Sequence, residues 1–335
     1  MSLPAAGGNR LIILMPVYND WKAAGILLPK IDQVLAAHDL SAAVVVIDDG
    51  SAVAHEQQFV AGNFHALDRV EILQLRRNLG HQRAICVGLC HLHAHDLSQP
   101  LIIMDSDGED APEDIPRLLA QYRAERGRKV VFAARTKRSE GLVFRLGYLL
   151  FRLVHLLLTG RSVRVGNFSI LPPSAVWSLV TSPDLWSHYA AAVFSARISW
   201  CSIPTQRAKR LDGSSRMNFV ALVVHGLVAI SVFSDLVGVR LLLACVGLGL
   251  LTLGGMSAVV AVRLFTSLAV PGWATYSVGL LGLLLLQSVL LATCFSFLIL
   301  SGRNRAAFLP SRDYIHFLGR REVVFSRPGE TEPPA

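Results

Sequence analysis

Charge is missing from two long stretches near the C-terminus of this 335-residue chain. Leu241–Val262 is 22 residues long and Leu264–Gly302 is 39, neither holds an Asp, Glu, Lys or Arg, and only Arg263 separates them. A helix needs roughly 20 such residues to cross the hydrocarbon core, so the first run predicts one membrane span. Pro271-Gly272 and the polar, aromatic Trp273-Ala274-Thr275-Tyr276-Ser277 break the second run, which leaves Val278–Leu300 as a second span and Leu264–Ser277 as the turn. Cysteine is scarce. Cys86, Cys90, Cys201, Cys245 and Cys294 show no paired zinc-type spacing and two fall within the spans, so neither a zinc ribbon nor a disulfide framework is expected. No signal peptide is expected either, because Leu11–Val17 is short and runs at once into polar residues. Gly247-Leu248-Gly249 follows no strand, which excludes a dinucleotide loop there.

The remaining composition describes a globular domain joined to this hairpin. Hydrophobic residues make up 52% and the net charge is +8, but the basic residues gather beside the apolar runs, where anionic lipid headgroups attract them. Membrane lipid, not nucleic acid, is therefore the expected partner. Arg207, Lys209, Arg210, Arg216 and Arg240 precede the first span and Arg303, Arg305 and Arg312 follow the second, which predicts both chain ends on the cytoplasmic side. The expected organisation is a cytoplasmic globular domain over 1–215, an amphipathic juxtamembrane helix over 216–237, a two-span hairpin over 238–302 and a cytoplasmic tail over 303–335, disordered after Arg320. Phe144–Thr159 carries large apolar residues at helical spacing, and either lies in the membrane interface or packs on the sheet. Gly254 and Ala258 are candidates for close helix approach, and hairpin helices of this kind also allow a homo-oligomer.

Within the N-terminal part, Leu11–Val17, Ala43–Ile47 and Leu101–Met104 are short apolar runs that end in polar residues, as buried parallel strands do. Helices are predicted over Trp21–Ala37 and His81–His95, so the order is strand, helix, strand, then strand, helix, strand: an α/β fold. In such sheets ligands bind beyond the carboxyl ends of the strands. Tyr18-Asn19-Asp20, Asp48-Asp49-Gly50-Ser51 and Asp105-Ser106-Asp107 all fall there. Asp105 and Asp107, with Glu109, supply oxygen ligands suited to Mg2+ or Mn2+ with positions left for a diphosphate. Asp48 and Asp49 can accept from base or ribose hydroxyls. Arg135 and Arg138, after a strand at Val130–Ala134, add positive charge to a donor site. His91, His93 and His95 lack a carboxylate or cysteine to complete a zinc set and are expected to form a solvated helix face.

Met15–Asp20, Val46–Ser51, Arg77-Asn78-Leu79-Gly80 and Met104–Asp107 resemble the successive motifs of family 2 glycosyltransferases with the GT-A fold. Arg210–Arg216 is similar to the R-x-x-G-x-S-K/R segment of dolichol-phosphate mannose synthases and bacterial polyprenyl-phosphate glycosyltransferases. The hairpin extends the likeness to the bactoprenyl-phosphate glucosyltransferases and aminoarabinose transferases. The resemblance implies a GT-A type Rossmann-like mixed sheet flanked by helices, in a protein of the bacterial cytoplasmic membrane. Pro16, Tyr18 and Asp20 would line the base pocket, Asp48 would bind the nucleoside, and Asn78 and Gly80 would join the substrate site. Asp105 and Asp107 would bracket the metal on a nucleotide-sugar, expected to be a UDP-sugar. Polyprenyl phosphate would attack the anomeric carbon in line and invert it. Its second pKa is about 6, so it needs no general base at neutral pH; Arg210 and Arg216, with Ser215 between them, are suited to hold it.

Two departures from the family pattern stand out. Glu109 replaces an amide, and Asn167 replaces an Asp that often precedes the aromatic residue at this point, so it can hydrogen-bond sugar hydroxyls but supplies no charge. Alternative readings are a processive polysaccharide synthase, against which stand the missing Gln-x-x-Arg-Trp segment and a hairpin of only two spans, and a membrane-anchored scaffold without turnover.

Overall fold

A computed structural model of the chain describes residues 9–55, 62–95, 97–135, 153–160, 165–212, 219–266, 272–303 and 308–328. These divide into two units: one comprises 1–141, 163–232 and 308–335, the other 142–162 and 233–307.

The first unit is built on an eight-stranded mixed sheet in the order β7-β5-β6-β4-β1-β2-β3-β8. Its centre is parallel: β1 (Arg10–Val17) lies between β2 (Ser41–Asp48) and β4 (Leu101–Ile103), and β3 (Leu67–Leu75) extends β2. Helix α1 (Trp21–Ala36) links β1 to β2, α2 (His81–Ala94) links β3 to β4, and α3 (Ile115–Ala124) follows β4. Alternation along the strands divides the core. Leu11, Ile13 and Met15 pack with Leu27, Leu28 and Ile31 of α1 and Leu118 of α3, while Leu14 and Ile47 face Gly88 of α2 so closely that a Cβ there would lie 2.5 Å from Leu14. Each such full burial is worth roughly 1.5–3 kcal/mol. Pro16 sits inside a central strand because it is in step with Ile12 and Leu14, which bond toward β4; β4 has ended by Ile103, so its missing N–H leaves no ladder bond unmade.

The strand required ahead of α2 is Leu67–Leu75, and its start is fixed by buried Asp32, whose Oδ1 accepts from the backbone of Ala66 at 2.7 Å and Leu67 at 2.9 Å. Beyond α3, β5 (Val130–Arg135) and β6 (Ser169–Leu171) pair antiparallel, and β7 (Trp200–Thr205) closes that edge parallel to β5. Between β6 and β7 run α4 (Pro173–Val180) and α5 (Tyr189–Ser195).

Leu318–Ser326, expected in part as a disordered tail, is strand β8, antiparallel to β3. Ion pairs hold it: Arg321 Nε lies 2.5 Å from the buried Glu71, which Arg69 also reaches at 3.2 Å, and Arg327 pairs with Asp68 at 3.2 Å. His91, expected in solvent, is instead buried with Nε2 3.7 Å from Glu71, because the sheet brings that carboxylate over α2.

The second unit contains α7 (Ser234–Phe265) and α8 (Trp273–Arg303), two helices long and apolar enough to cross a membrane. Both run past the predicted spans. They meet at small residues: a Cβ on Gly249 would touch Leu285 and Ser288 at 3.6 Å and one on Gly255 would touch Leu281 at 3.5 Å, whereas Gly254 meets nothing and Ala258 is exposed. Gly249 and Gly255, not Gly254 and Ala258, are therefore the positions of close approach. Residues 153–159 are helical and belong to this unit, where Arg240 donates to the Leu157 carbonyl at 2.8 Å. Helix α6 (Phe219–Ser231) precedes α7 in the chain. All five cysteines are free.

Candidate active site

The ends of β1 and β2 are sewn together by short polar loops. Asn19, held at φ 53°, donates its backbone N–H to Ser51 Oγ at 2.9 Å and accepts from the Ala52 N–H at 2.8 Å, while buried Asp48 accepts from the Ser51 N–H at 2.9 Å. Asp49 is committed to the backbone: its two oxygens accept from Leu79 at 2.7 Å and Gly80 at 2.9 Å, which draws the Arg77–Gly80 loop onto β2. Burial raises the Asp49 pKa despite those two bonds and the nearby His81. Gly50, at φ 70°, lies where a Cβ would come within 2.7 Å of the Asn78 nitrogen, so only glycine permits the approach. Tyr18 stands 42% exposed at the rim.

After β4 the chain turns through Asp105–Asp110. The Asp105 N–H donates to buried Asp110 at 3.0 Å, and the Glu109 N–H donates to Asp107 Oδ1 at 2.9 Å. Residues 207–212 lie back along this turn: Ala208 N–H reaches the Glu109 carbonyl at 3.0 Å, Leu211 N–H reaches the Asp107 carbonyl at 2.9 Å, and the Leu211 side chain covers Gly108. Arg210 bridges two of the predicted site carboxylates, Asp20 at 2.7 Å and Asp107 at 3.0 Å. Glu109, expected beside the metal, turns its carboxylate to Arg207, whose Nε donates to it at 2.7 Å. Burial raises the Asp107 pKa and the charges of Asp105 and Glu109 add to it; the Glu109 N–H and Arg210 offset only part.

On the opposite wall, His81 begins α2 with Nε2 3.1 Å from Asp105 Oδ1. Burial disfavours its imidazolium, but the charges of Asp105, Asp110 and Asp107 outweigh this and raise the pKa. Asn167 Nδ2 lies 2.8 Å from the same Nε2, Gln82 Nε2 donates to Asn167 Oδ1 at 3.0 Å, and Gln82 Oε1 accepts from the Tyr189 N–H at 2.8 Å.

The fold thus brings two clusters to the Asp105–Asp110 turn, Asp20, Arg210 and Asp107 in one and Asp105, His81 and Asn167 in the other, with Asp48 at the adjoining strand end. Arg135 ends β5 opposite Thr205. Arg138, Ser215 and Arg216 lie outside the described residues. Sequence reasoning passed over His81, Gln82 and Arg207. His81 directly follows the Arg77–Gly80 motif at a helix start, which was the available signal; nothing local pairs Arg207 with Glu109.

A GT-A type sheet with an Asp-x-Asp turn at its carboxyl edge is the frame of a glycosyltransferase. Residues 12–178 match the glycosyl transferase family 2 model, and this part of the chain is a family 2 glycosyltransferase domain. Among curated relatives, undecaprenyl-phosphate 4-deoxy-4-formamido-L-arabinose transferase of Salmonella choleraesuis is 26% identical over 287 residues, covering 83% of each chain. The Salmonella paratyphi B protein of the same description is 25% identical over 285 residues, with the same coverage. Among solved structures, glucosyl-3-phosphoglycerate synthase of Mycobacterium tuberculosis, in complex with Mn2+, UDP and phosphoglyceric acid, superposes with a TM-score of 0.50 at 16% identity, covering 70% of this chain and 81% of that one. It shares the fold.

Proposed function

We propose that this protein transfers a sugar from a nucleotide-sugar, a UDP-sugar, to polyprenyl phosphate at the cytoplasmic face of the cell membrane, with inversion at the anomeric carbon. The observation that carries the reading is the convergence of Asp20, Asp105, Asp107 and Arg210 at the carboxyl edge of the sheet, in a chain that continues into two helices able to cross a membrane. The Salmonella relatives bear the name of an undecaprenyl-phosphate sugar transferase, which supports the acceptor class. Strand β7 precedes the hairpin and β8 follows it in the same sheet, so both ends of the hairpin leave on one side of any membrane it crosses. The basic flanks favour the cytoplasm for that side.

Asp105 and Asp107 fit a divalent cation: both are hard oxygen donors, and burial beside other carboxylates leaves Asp107 short of positive charge. What Mg2+ or Mn2+ supplies there is neutralisation of the departing diphosphate. The related fold that holds Mn2+ with UDP supports that choice. In this reading Asp48, at the end of β2, accepts from the nucleoside. Arg210, already touching Asp20 and Asp107, can pass from Asp107 to the incoming phosphate oxygens while keeping Asp20, and its fork geometry suits them. The acceptor arrives largely dianionic, so the residues orient it and screen its charge, and no proton needs to be removed.

Detergent-purified protein, labelled UDP- and GDP-sugars, undecaprenyl phosphate and either cation test this directly. An EDTA-sensitive lipid-linked product supports the reading and names the donor. Folded protein that forms no such product with any donor overturns it.

A further inference from the structure

We propose that the segment after the hairpin forms, with the start of α2, a docking surface for the anionic phospholipid headgroups of the membrane. The inference rests on the membrane placement above and begins from an aromatic cluster that sugar transfer does not use. Trp186 stacks against Phe308 at 4.2 Å and Phe317 at 4.9 Å between ring centroids. All three rings keep part of their surface in solvent, and Ile315, on the same short 3-10 turn as Phe317, is 53% exposed. Packing accounts for these contacts but not for their rim. Arg83, in the first turn of α2, lies with Cζ 5.3 Å from the centre of the Trp186 ring, and Arg77, in the loop before α2, lies 5.9 Å from that of Phe317. Both arginines are exposed, and among the described residues neither faces a carboxylate, whereas Arg312, Arg320 and Arg321 each do. Arg76 adds a third exposed charge, steadied by its Nε bond to the Leu318 carbonyl at 2.7 Å.

A guanidinium laid over a ring still presents N–H groups at its edge, and these suit a phosphate. Apolar rings beside such arginines match the boundary between headgroups and acyl chains. The chain itself indicates what covers this surface. Five residue steps, at most about 18 Å of backbone, separate Phe308 from Arg303, the last residue of α8. If α8 crosses the bilayer, the segment after it is tethered within reach of the headgroup layer on that side. An arginine near an anionic leaflet strengthens the attraction about fivefold. The Arg77–Gly80 loop is also the one that Asp49 draws onto β2, so docking here holds the carboxyl edge of the sheet next to the leaflet that carries the acceptor.

The test places the full-length protein in nanodiscs of phosphatidylcholine alone or of phosphatidylcholine with phosphatidylglycerol, so that the hairpin is inserted in both and only headgroup charge differs. Backbone hydrogen exchange over 76–86 and 308–318 is expected to slow about fivefold or more when the anionic lipid is present, and high salt is expected to abolish the difference. Arg83→Glu and Ile315→Asp, both at exposed positions, are each expected to shrink the protection of these two stretches while leaving the thermal midpoint in place. Equal exchange in the two lipids, or lipid-dependent protection that survives both substitutions, overturns the docking surface and leaves the sugar-transfer reading standing, because the readout needs no turnover. Protein that does not enter nanodiscs at all removes the membrane placement on which both depend.

Discussion

Glu71 and Asp107 are both carboxylates drawn out of solvent beside arginine, yet their acidities move in opposite directions. Burial works against ionised Glu71, but the neighbouring His91, the hydrogen bonds from Arg321 and the charges of Arg321 and Arg69 overcome it and hold the pKa at about 2. At Asp107 burial prevails, helped by Asp105 and Glu109, against one backbone N–H and Arg210. The first cluster is complete in its own residues and fastens β8 to β3. The second keeps carboxylates that Arg210 only partly offsets, which accords with the cation proposed for it. Balance of charge, not the number of acids, separates the two.

The largest expected contrast comes from removing each acid. Asp107→Ala should lower sugar transfer by about a thousandfold or more while the thermal midpoint stays close to that of the unmodified protein; retained transfer would remove the metal assignment. Glu71→Ala should do the reverse, costing on the order of 2–4 kcal/mol because it takes a buried carboxylate away from half-buried Arg69 and Arg321, as read by denaturant unfolding. Next comes pH. The folded Glu71 pKa is depressed, so its contribution is fully present above the unfolded value of 4.5 and is lost as pH falls toward about 2; its size is on the order of 3 kcal/mol. Asp107 has the opposite sign: its raised pKa favours the folded state below the unfolded value of 3.8, and that advantage is lost as pH rises through the folded pKa. Asp107→Asn should therefore steepen the acid loss of stability relative to Glu71→Gln, and equal acid profiles would erase the comparison. The smallest effect is expected at the turn. Gly108→Ala places a Cβ 2.4 Å from Leu211 Cγ at φ 80°, and should displace residues 207–212 at a cost of about 1–2 kcal/mol with a larger loss of transfer than of stability.

The same contrast explains what could be read from the chain alone. Strands β1, β2 and β4 and helices α1 and α2 were legible to within a few residues, because each is a local apolar pattern ended by polar residues. The Asp-x-Asp turn was legible for the same reason. Strand β8 was not: Leu318–Ser326 carries Arg320, Arg321 and Glu322 in succession, and Arg321 pairs inward with a partner 250 residues away. A buried ion pair breaks the alternation by which a strand is recognised, and no spacing rule links its halves. His91 was misread for the same cause, since Glu71 reaches it only through the sheet. Glu109 looked like a metal ligand until the return of Arg207 gave it another partner.

Because β8 is the last element of the sheet, the order of synthesis matters. Strand β3 leaves the ribosome early, but its edge stays uncovered until residues 318–326 emerge, after both apolar helices have been made. An uncovered edge offers unpaired N–H and C=O groups to any neighbouring chain. The domain therefore finishes folding only after its anchor exists, and a chain cut short at residue 303 would carry every carboxylate of the site yet lack the clasp that closes the sheet.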